Sequence, residues 1–126
     1  MTSRKIIEEV GAMTESYFLF YEELDWSCQL QRAGYETWYE PAACIFHKES
    51  MTIKRGSSFR LYYLTRSRIL FARRNYSFMN KLMALSYQIT IVIPKNILLY
   101  SIHREKAMLK SFLKGCFHGF MDKIHI

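Results

Sequence analysis

Three acidic residues follow directly on a short aromatic run near the start of the chain, and this junction limits the fold more than any other feature. The uncharged run at residues 17–21 predicts a short buried strand, because aromatic side chains favour extended structure. Glu22, Glu23 and Asp25 then open a helical pattern that continues to residue 33. In open α/β sheets, ligands bind in the cleft where strands give way to helices. We therefore expect an α/β fold with a binding site at this junction.

The acid cluster has two interpretations. Acids in the first turn of a helix are stabilised by the positive end of the helix dipole, so Glu22, Glu23 and Asp25 fit an ordinary helix start. Adjacent carboxylates also repel each other, and burial disfavours their ionisation. Chains that carry this cost often use it for proton transfer. Spacing alone leaves both interpretations open.

Local signals predict the other elements around this junction. Ser3 caps a short helix that ends at Gly11, and Gly34 ends the helix that carries the acids. Residues 36–39 and 43–46 predict two further short strands, separated by Pro41. Together with residues 17–21 they would form a small sheet.

The second half of the chain predicts helices. Ser57 or Ser58 caps a long helix that ends near Asn75, another helix begins near Phe78, and a basic amphipathic helix covers residues 105–121. Residues 82–94 carry no charge, but this run is shorter than the ~20 residues that span a membrane. Because residues 94–96 interrupt it, a hydrophobic hairpin in the membrane interface, or a helix packed on another subunit, is expected.

Charge is divided unevenly along the chain. Residues 1–49 hold nine acids and four Lys or Arg, whereas residues 50–126 hold two acids and fourteen Lys or Arg. Such asymmetry is typical of proteins that bind a polyanionic partner or a membrane surface, although a solvated helix face also accounts for it. Arg and aromatic residues interleave from 59 to 76, as in some nucleic-acid-binding proteins. No nucleic-acid-binding motif is present and the acidic first third would have no role, so no nucleic acid is expected as a partner.

The cysteines indicate a reducing compartment. Cys28, Cys44 and Cys116 are odd in number and have no zinc-ligand spacing. The first eleven residues lack the apolar segment of a signal peptide. A cytoplasmic location is expected.

An ordered set of positions resembles the family 2 glycosyltransferases of the GT-A fold, especially their rhamnosyltransferase-like branch. The matching residues are Tyr21, Glu22, Glu23, Asp25, Trp26, Ala33, Gly34, Tyr35, Pro41 and His47. A weaker likeness extends through Tyr62, Tyr63, Arg66 and residues 73–75.

This resemblance implies a fold and a domain organisation. The expected class is α/β, or α+β for this chain as an isolated fragment: the C-terminal half of a GT-A fold, with a short small sheet, several helices and a helix-rich end. Residues 1–56 would form the acceptor-side catalytic segment, and residues 57–126 a basic amphipathic helical region.

The resemblance also implies an inverting transfer of a sugar from a nucleotide-diphosphate donor to an acceptor hydroxyl, in surface polysaccharide synthesis. Glu23 would be the base, and Glu22 and Asp25 would hold the acceptor or orient the base. Trp26 would bind the acceptor, although a packing role is equally compatible. His47 would join the metal or diphosphate site, with Mg²⁺ or Mn²⁺ expected as the metal of the full enzyme.

Some features depart from the family. Many members have Asp at the position of Glu23, a basic residue at that of Gln29 and Asn at that of Ser67. No Asp-x-Asp metal motif occurs, so the donor-binding half is missing and no metal is expected to bind tightly to this part alone. Such a fragment would be inactive unaided. Its expected partners are the nucleotide sugar, a glycan or lipid-linked acceptor, the inner surface of the cell membrane and a possible second copy of the chain. A non-catalytic membrane-surface or oligomerisation module is the alternative.

Overall fold

The computed structural model describes residues 2–44, 54 and 56–123. Five helices account for the regular structure of this part of the chain. They are α1 (Arg4–Val10), α2 (Glu22–Arg32), α3 (Ser58–Asn75), α4 (Phe78–Ile102) and α5 (Lys106–Met121).

The predicted helix boundaries are confirmed where a capping residue sets them. The Ser3 hydroxyl accepts a hydrogen bond from the backbone N–H of Ile6, and Gly11 ends α1 with a φ of 92°. The Ser57 hydroxyl accepts from the N–H of Arg60 at the start of α3. These interactions involve residues three or four apart, so the local sequence specifies them.

The α/β expectation is wrong. No strand occurs among the described residues, and therefore neither the small sheet nor the GT-A fold is present in this part of the chain. Residue 17 is irregular and residues 18–21 form bends instead, where Phe20 and Tyr21 adopt left-handed backbone conformations with φ of 66° and 73°. A strand cannot continue through such residues.

The described residues of the two later predicted strands are not extended into a sheet either. Residues 36–40 are irregular, and the Trp38 and Tyr39 side chains are 84% and 87% exposed. Aromatic residues stabilise strands by packing across a sheet, so the same residues do not form one alone. Residues 43 and 44 are likewise not extended into a strand, and residues 45 and 46 lie outside the described part.

The core lies where α3 packs against α5. Ile69 of α3 and Phe112 and Cys116 of α5 are its most buried members. Gly115 and Gly119 face α3, and a Cβ at Gly115 would lie 2.7 Å from the carbonyl oxygen of Tyr62. The two helix backbones therefore approach more closely than side chains at these positions would allow.

α4 runs unbroken through Pro94, contrary to the predicted interruption. Proline has no N–H and would clash with the carbonyl four residues earlier in an ordinary helix. The chain widens into a π turn over residues 88–92, where the N–H of Ile93 bonds the carbonyl of Gln88, five residues back. The Thr90 hydroxyl donates to the carbonyl of Ser86 at 2.8 Å. This wider turn accommodates the proline without ending the helix.

The two sides of α4 differ in what they contact. Leu85, Val92 and Tyr100, spread along the helix, pack against the α3–α5 core. The other side exposes a series of large apolar residues: Phe78, Met79, Leu82, Met83, Ile89, Ile91, Leu98 and Ile102. By length and composition alone, α4 is the one helix of the described chain that could cross a membrane. Its most apolar 18-residue stretch has a mean hydropathy of 1.4, and only 6% of that stretch is buried inside the protein.

Candidate functional site

The backbone directly before the acid-bearing first turn of α2 is strained. Phe20 and Tyr21 both have positive φ, which non-glycine residues adopt at a cost of roughly 1–3 kcal/mol each. Tyr21 occupies the N-cap position without a side-chain hydrogen bond to the helix. Residues in such conformations persist only where surrounding contacts hold them, and they concentrate at functional sites. The contacts that hold this turn come from the Asp25 network and from side chains of α3.

Asp25 is the centre of a buried network. Its carboxylate is fully buried and forms an ion pair with Arg74 of α3, with 3.1 Å between Nε and Oδ1. The Asn75 amide and the Tyr17 hydroxyl also donate to Oδ1, the latter at 3.1 Å, and Gln29 donates to Oδ2 at 2.7 Å. Four side chains from three parts of the chain thus satisfy one carboxylate. A buried charge needs this degree of pairing to be tolerated.

The protonation of Tyr17 fits its role as a donor. Burial of the ring, and then the neighbouring Asp25 carboxylate, raise the pKa of Tyr17 well above its usual value. The hydroxyl therefore keeps its proton at all physiological pH values and donates it to Asp25. Tyr17, predicted as part of a strand, instead serves to close the network.

Further hydrogen bonds hold the segment before α2 against α3. Arg66 donates to the carbonyl of Ser16 at 3.0 Å, and the buried Ser67 hydroxyl donates to the carbonyl of Leu19 at 2.9 Å. These side chains satisfy carbonyls that a sheet would otherwise have paired. The non-repetitive backbone at residues 16–21 is therefore held by α3 and not by a strand.

Glu22 and Glu23 differ from Asp25 in their surroundings. The Glu22 side chain is half-buried, and its Oε2 is shielded from solvent with no hydrogen-bond partner among the described residues. The Glu23 side chain is exposed. The three acids therefore do not form one cluster: Asp25 is directed into the protein, Glu23 is directed outward, and Glu22 lies between these environments.

Trp26 faces a separate hollow. Its indole N–H donates to the carbonyl of Gly11 at 2.9 Å, which ties α2 to the end of α1. The hollow has a volume of about 360 Å³, and Trp26, Trp38 and Glu36 contribute to its walls. Trp26 thus has a packing contact and an accessible ring surface, so both predicted roles remain compatible with its position.

The predicted metal ligand cannot be placed. His47 lies outside the described residues. Among the residues that are described, no three His, Cys, Asp or Glu side chains come together in a way that could hold a metal ion. The Asp25 oxygens are already occupied by Arg74, Asn75, Tyr17 and Gln29. A role for Mg²⁺ or Mn²⁺ stays a prediction.

Sequence reasoning did not identify the partners of Asp25. Gln29 follows it by four residues, a spacing that places both on one helix face and could have indicated the pair. Arg74 and Asn75 are some fifty positions away, and only their place in the weaker part of the resemblance marked them.

No family model matches this chain, and no curated protein or solved structure matches it either.

Proposed function

We propose that this chain is the acceptor-side part of an inverting glycosyltransferase that works at a membrane surface. One observation carries the proposal: the two separate segments that resemble family 2 glycosyltransferases meet around Asp25. Residues 21–26 belong to the first segment, and Arg74 and Asn75 belong to the second. Residues of one functional unit are expected to assemble in this way, whereas a chance likeness gives no reason for the two segments to touch.

In this proposal the buried network positions the turn that carries the base. Asp25 anchors α2 to α3, and the exposed Glu23 projects from the fixed first turn two residues earlier. The Glu23 carboxylate takes the proton of the acceptor hydroxyl as its oxygen bonds to the sugar carbon. The bond from that carbon to the donor phosphate breaks, and its electron pair leaves with the nucleoside diphosphate. Glu22, whose half-buried side chain starts the same turn, holds the acceptor.

The nucleotide sugar requires residues outside this sequence. The 126 residues contain no Asp-x-Asp motif, and the buried carboxylate is committed to Arg74. The proposal therefore assigns donor binding, and any metal that the donor needs, to another segment or chain.

A Glu23→Gln change is expected to abolish the activity while leaving the fold intact. The amide has nearly the same shape as the carboxylate but cannot accept the proton, and loss of a general base lowers a rate by at least about a hundredfold. The test is the surface polysaccharide of source cells that lack the chain, complemented with the wild-type or variant gene. Wild type should restore the polysaccharide and Glu23→Gln should not.

The exposed acid Glu15 provides the matched control, since Glu15→Gln changes the same charge away from the turn. Immunoblots would establish equal amounts of each variant. Full restoration by Glu23→Gln would refute the role of the base. If deletion of the chain leaves the surface carbohydrate unchanged, the proposed function itself is wrong.

The exposed side of α4 supports the membrane location. At 1.5 Å per residue the 25-residue helix is about 37 Å long, which exceeds the ~30 Å hydrocarbon core. Because Leu85, Val92 and Tyr100 hold its other side against the core along its length, a position in the plane of the interface fits better than a crossing. No acid occurs between Glu49 and Glu105, so anionic lipids would meet only Lys and Arg in this region.

Vesicle flotation tests this location. The wild-type chain should float with vesicles of mixed phosphatidylcholine and phosphatidylglycerol, and less with phosphatidylcholine alone. The double variant Leu82→Gln/Leu98→Gln should bind at least about tenfold more weakly, because each buried leucine contributes ~1.5–3 kcal/mol. Leu24→Gln on α2, also an exposed leucine, serves as the control and should bind as wild type.

Sedimentation of the same proteins separates membrane attachment from self-association. A wild-type monomer that floats supports the proposal. A stable dimer that the double variant disrupts, with no flotation of the wild type, would instead identify the exposed side of α4 as a subunit interface.

A further inference from the structure

A cavity lies between α3 and α4 and borders Tyr21, the residue before the acid-bearing first turn of α2. It has a volume of about 190 Å³, and its walls include the apolar side chains of Phe71, Leu85 and Val92. The Tyr21 and Phe71 rings, 5.4 Å apart between centroids, contribute to one side. An apolar cavity of roughly 150 Å³ is enough to hold a benzene-sized molecule. This cavity therefore has room for a small apolar group or a segment of an alkyl chain.

Gln88 lines this cavity and is not satisfied by the protein. The residue is 6% exposed, and its Nε2 is buried with no hydrogen-bond partner among the described residues. An unpaired buried amide costs folding free energy, and an apolar residue of similar size would avoid this cost. A ligand that supplies an oxygen acceptor would satisfy the amide.

The backbone at Gln88 is also irregular. Gln88 begins the π turn that accommodates Pro94, and π turns inside longer helices occur frequently at functional sites. Gln88 and Val92 lie at the two ends of this turn, four residues apart on one face of α4, and both line the cavity.

A positive charge lies at the same cavity. The exposed Arg68 of α3 contributes to its wall, together with Tyr87, whose side chain is 59% exposed. A guanidinium group binds phosphate through two parallel hydrogen bonds, and solvent access at Arg68 leaves room for a hydrated head group. The cavity thus combines apolar walls, one unpaired amide donor and one cation.

We propose that this cavity binds a phosphate-bearing amphiphile, with the alkyl segment between α3 and α4, an oxygen of the ligand at the Gln88 amide and the phosphate at Arg68. This site is independent of the proposed sugar transfer and of the acids in α2. The three components distinguish this site from a simple anion site, which needs no apolar wall. They also distinguish it from an uncharged apolar cavity, which needs no cation.

Calorimetric titration of the full chain with three probes tests each component. Hexyl phosphate carries the chain and the charge, inorganic phosphate carries only the charge, and hexanol carries only the chain. Hexyl phosphate should bind at least tenfold more tightly than either of the others. Equal binding of inorganic phosphate would overturn the proposal in favour of an anion site, and equal binding of hexanol would overturn it in favour of an uncharged apolar cavity.

Variants then locate the binding. Gln88→Leu should weaken hexyl phosphate at least tenfold while raising the melting temperature of the unliganded protein, because the unpaired amide is removed. Arg68→Gln should weaken it similarly, and Ala84→Leu, which fills the cavity from α4, should abolish it. Lys95→Gln removes an exposed charge from the same helix and should have no effect. Unchanged binding in Gln88→Leu and Ala84→Leu, or an equal loss in Lys95→Gln, would refute the site.

Discussion

Asp25→Ala is expected to reduce the free energy of unfolding by about 3–5 kcal/mol, because it removes the carboxylate that pairs with the largely buried Arg74. The two groups are 0% and 11% exposed as side chains, so water cannot replace the lost partner readily. The substitution also removes the acceptor for Asn75, Tyr17 and Gln29. Removing one partner of a buried ion pair strongly destabilises a protein, because the other charge stays buried. Replacing the whole pair with apolar residues of similar volume costs far less.

Urea unfolding followed by circular dichroism measures this loss, and Glu23→Ala is its matched control. Glu23 is an acid in the same helical turn, so both variants lose the same favourable interaction with the helix dipole. Glu23 is exposed, and its removal should cost less than about 1 kcal/mol. The difference between the two variants reports the buried network. Equal losses would show that Asp25 is an ordinary first-turn acid.

The double variant Asp25→Ala/Arg74→Met separates the charge from the packing. The double variant removes both members of the ion pair, so it should recover part of the loss seen in Asp25→Ala. If the double variant loses as much free energy of unfolding as the two single variants together, the two side chains act independently.

The helix boundaries could be predicted from the sequence because short-range interactions determine them. Ser57 caps α3 through a residue three positions away, and Gly34 has the positive φ expected beyond the end of α2. The absence of a sheet from the described part of the chain could not be predicted in the same way. The aromatic runs at residues 17–21 and 36–39 predict strands by composition, but a strand needs a partner at a distance that composition does not describe. The left-handed conformation of Tyr21 depends on contacts with α3, which lies far along the chain.

The candidate site shows the same division. The three acids were identified from their spacing, but only the long-range pairing with Arg74 and Asn75 distinguishes the buried Asp25 from the exposed Glu23.

The same holds for α4, where proline was expected to end the helix because it removes a backbone donor. The π turn over residues 88–92 offsets that effect, and the energetic balance between a break and a wider turn depends on how this part of α4 packs against the core.

Gly115→Leu is expected to destabilise the fold by at least about 3 kcal/mol, although leucine favours helices more than glycine does. The gain in helix propensity is only ~1 kcal/mol. A Cβ at this position would lie 2.7 Å from the Tyr62 carbonyl oxygen and 3.1 Å from the Thr65 Cβ, so α3 and α5 must separate. A backbone carbonyl cannot rotate away as a side chain can, and overpacking by even a few methylenes costs roughly 1–3 kcal/mol or more.

Separation at Gly115 would extend to the neighbouring contacts between the same helices. At Gly119 a Cβ would lie 2.9 Å from the Ile69 Cβ, and the Gly119 carbonyl accepts a hydrogen bond from Arg73 at 2.8 Å. Thermal unfolding should therefore show a large loss for Gly115→Leu and a smaller one for Gly119→Ala, because alanine adds only a methyl group beside the Ile69 Cβ and the Arg66 carbonyl. Lys110→Leu introduces the same residue at an exposed position of α5 and should change stability by no more than about 0.5 kcal/mol. If Gly115→Leu proves as stable as Lys110→Leu, α3 and α5 do not pack through their glycines, and the core that supports both the acid-bearing turn and α4 must be arranged differently.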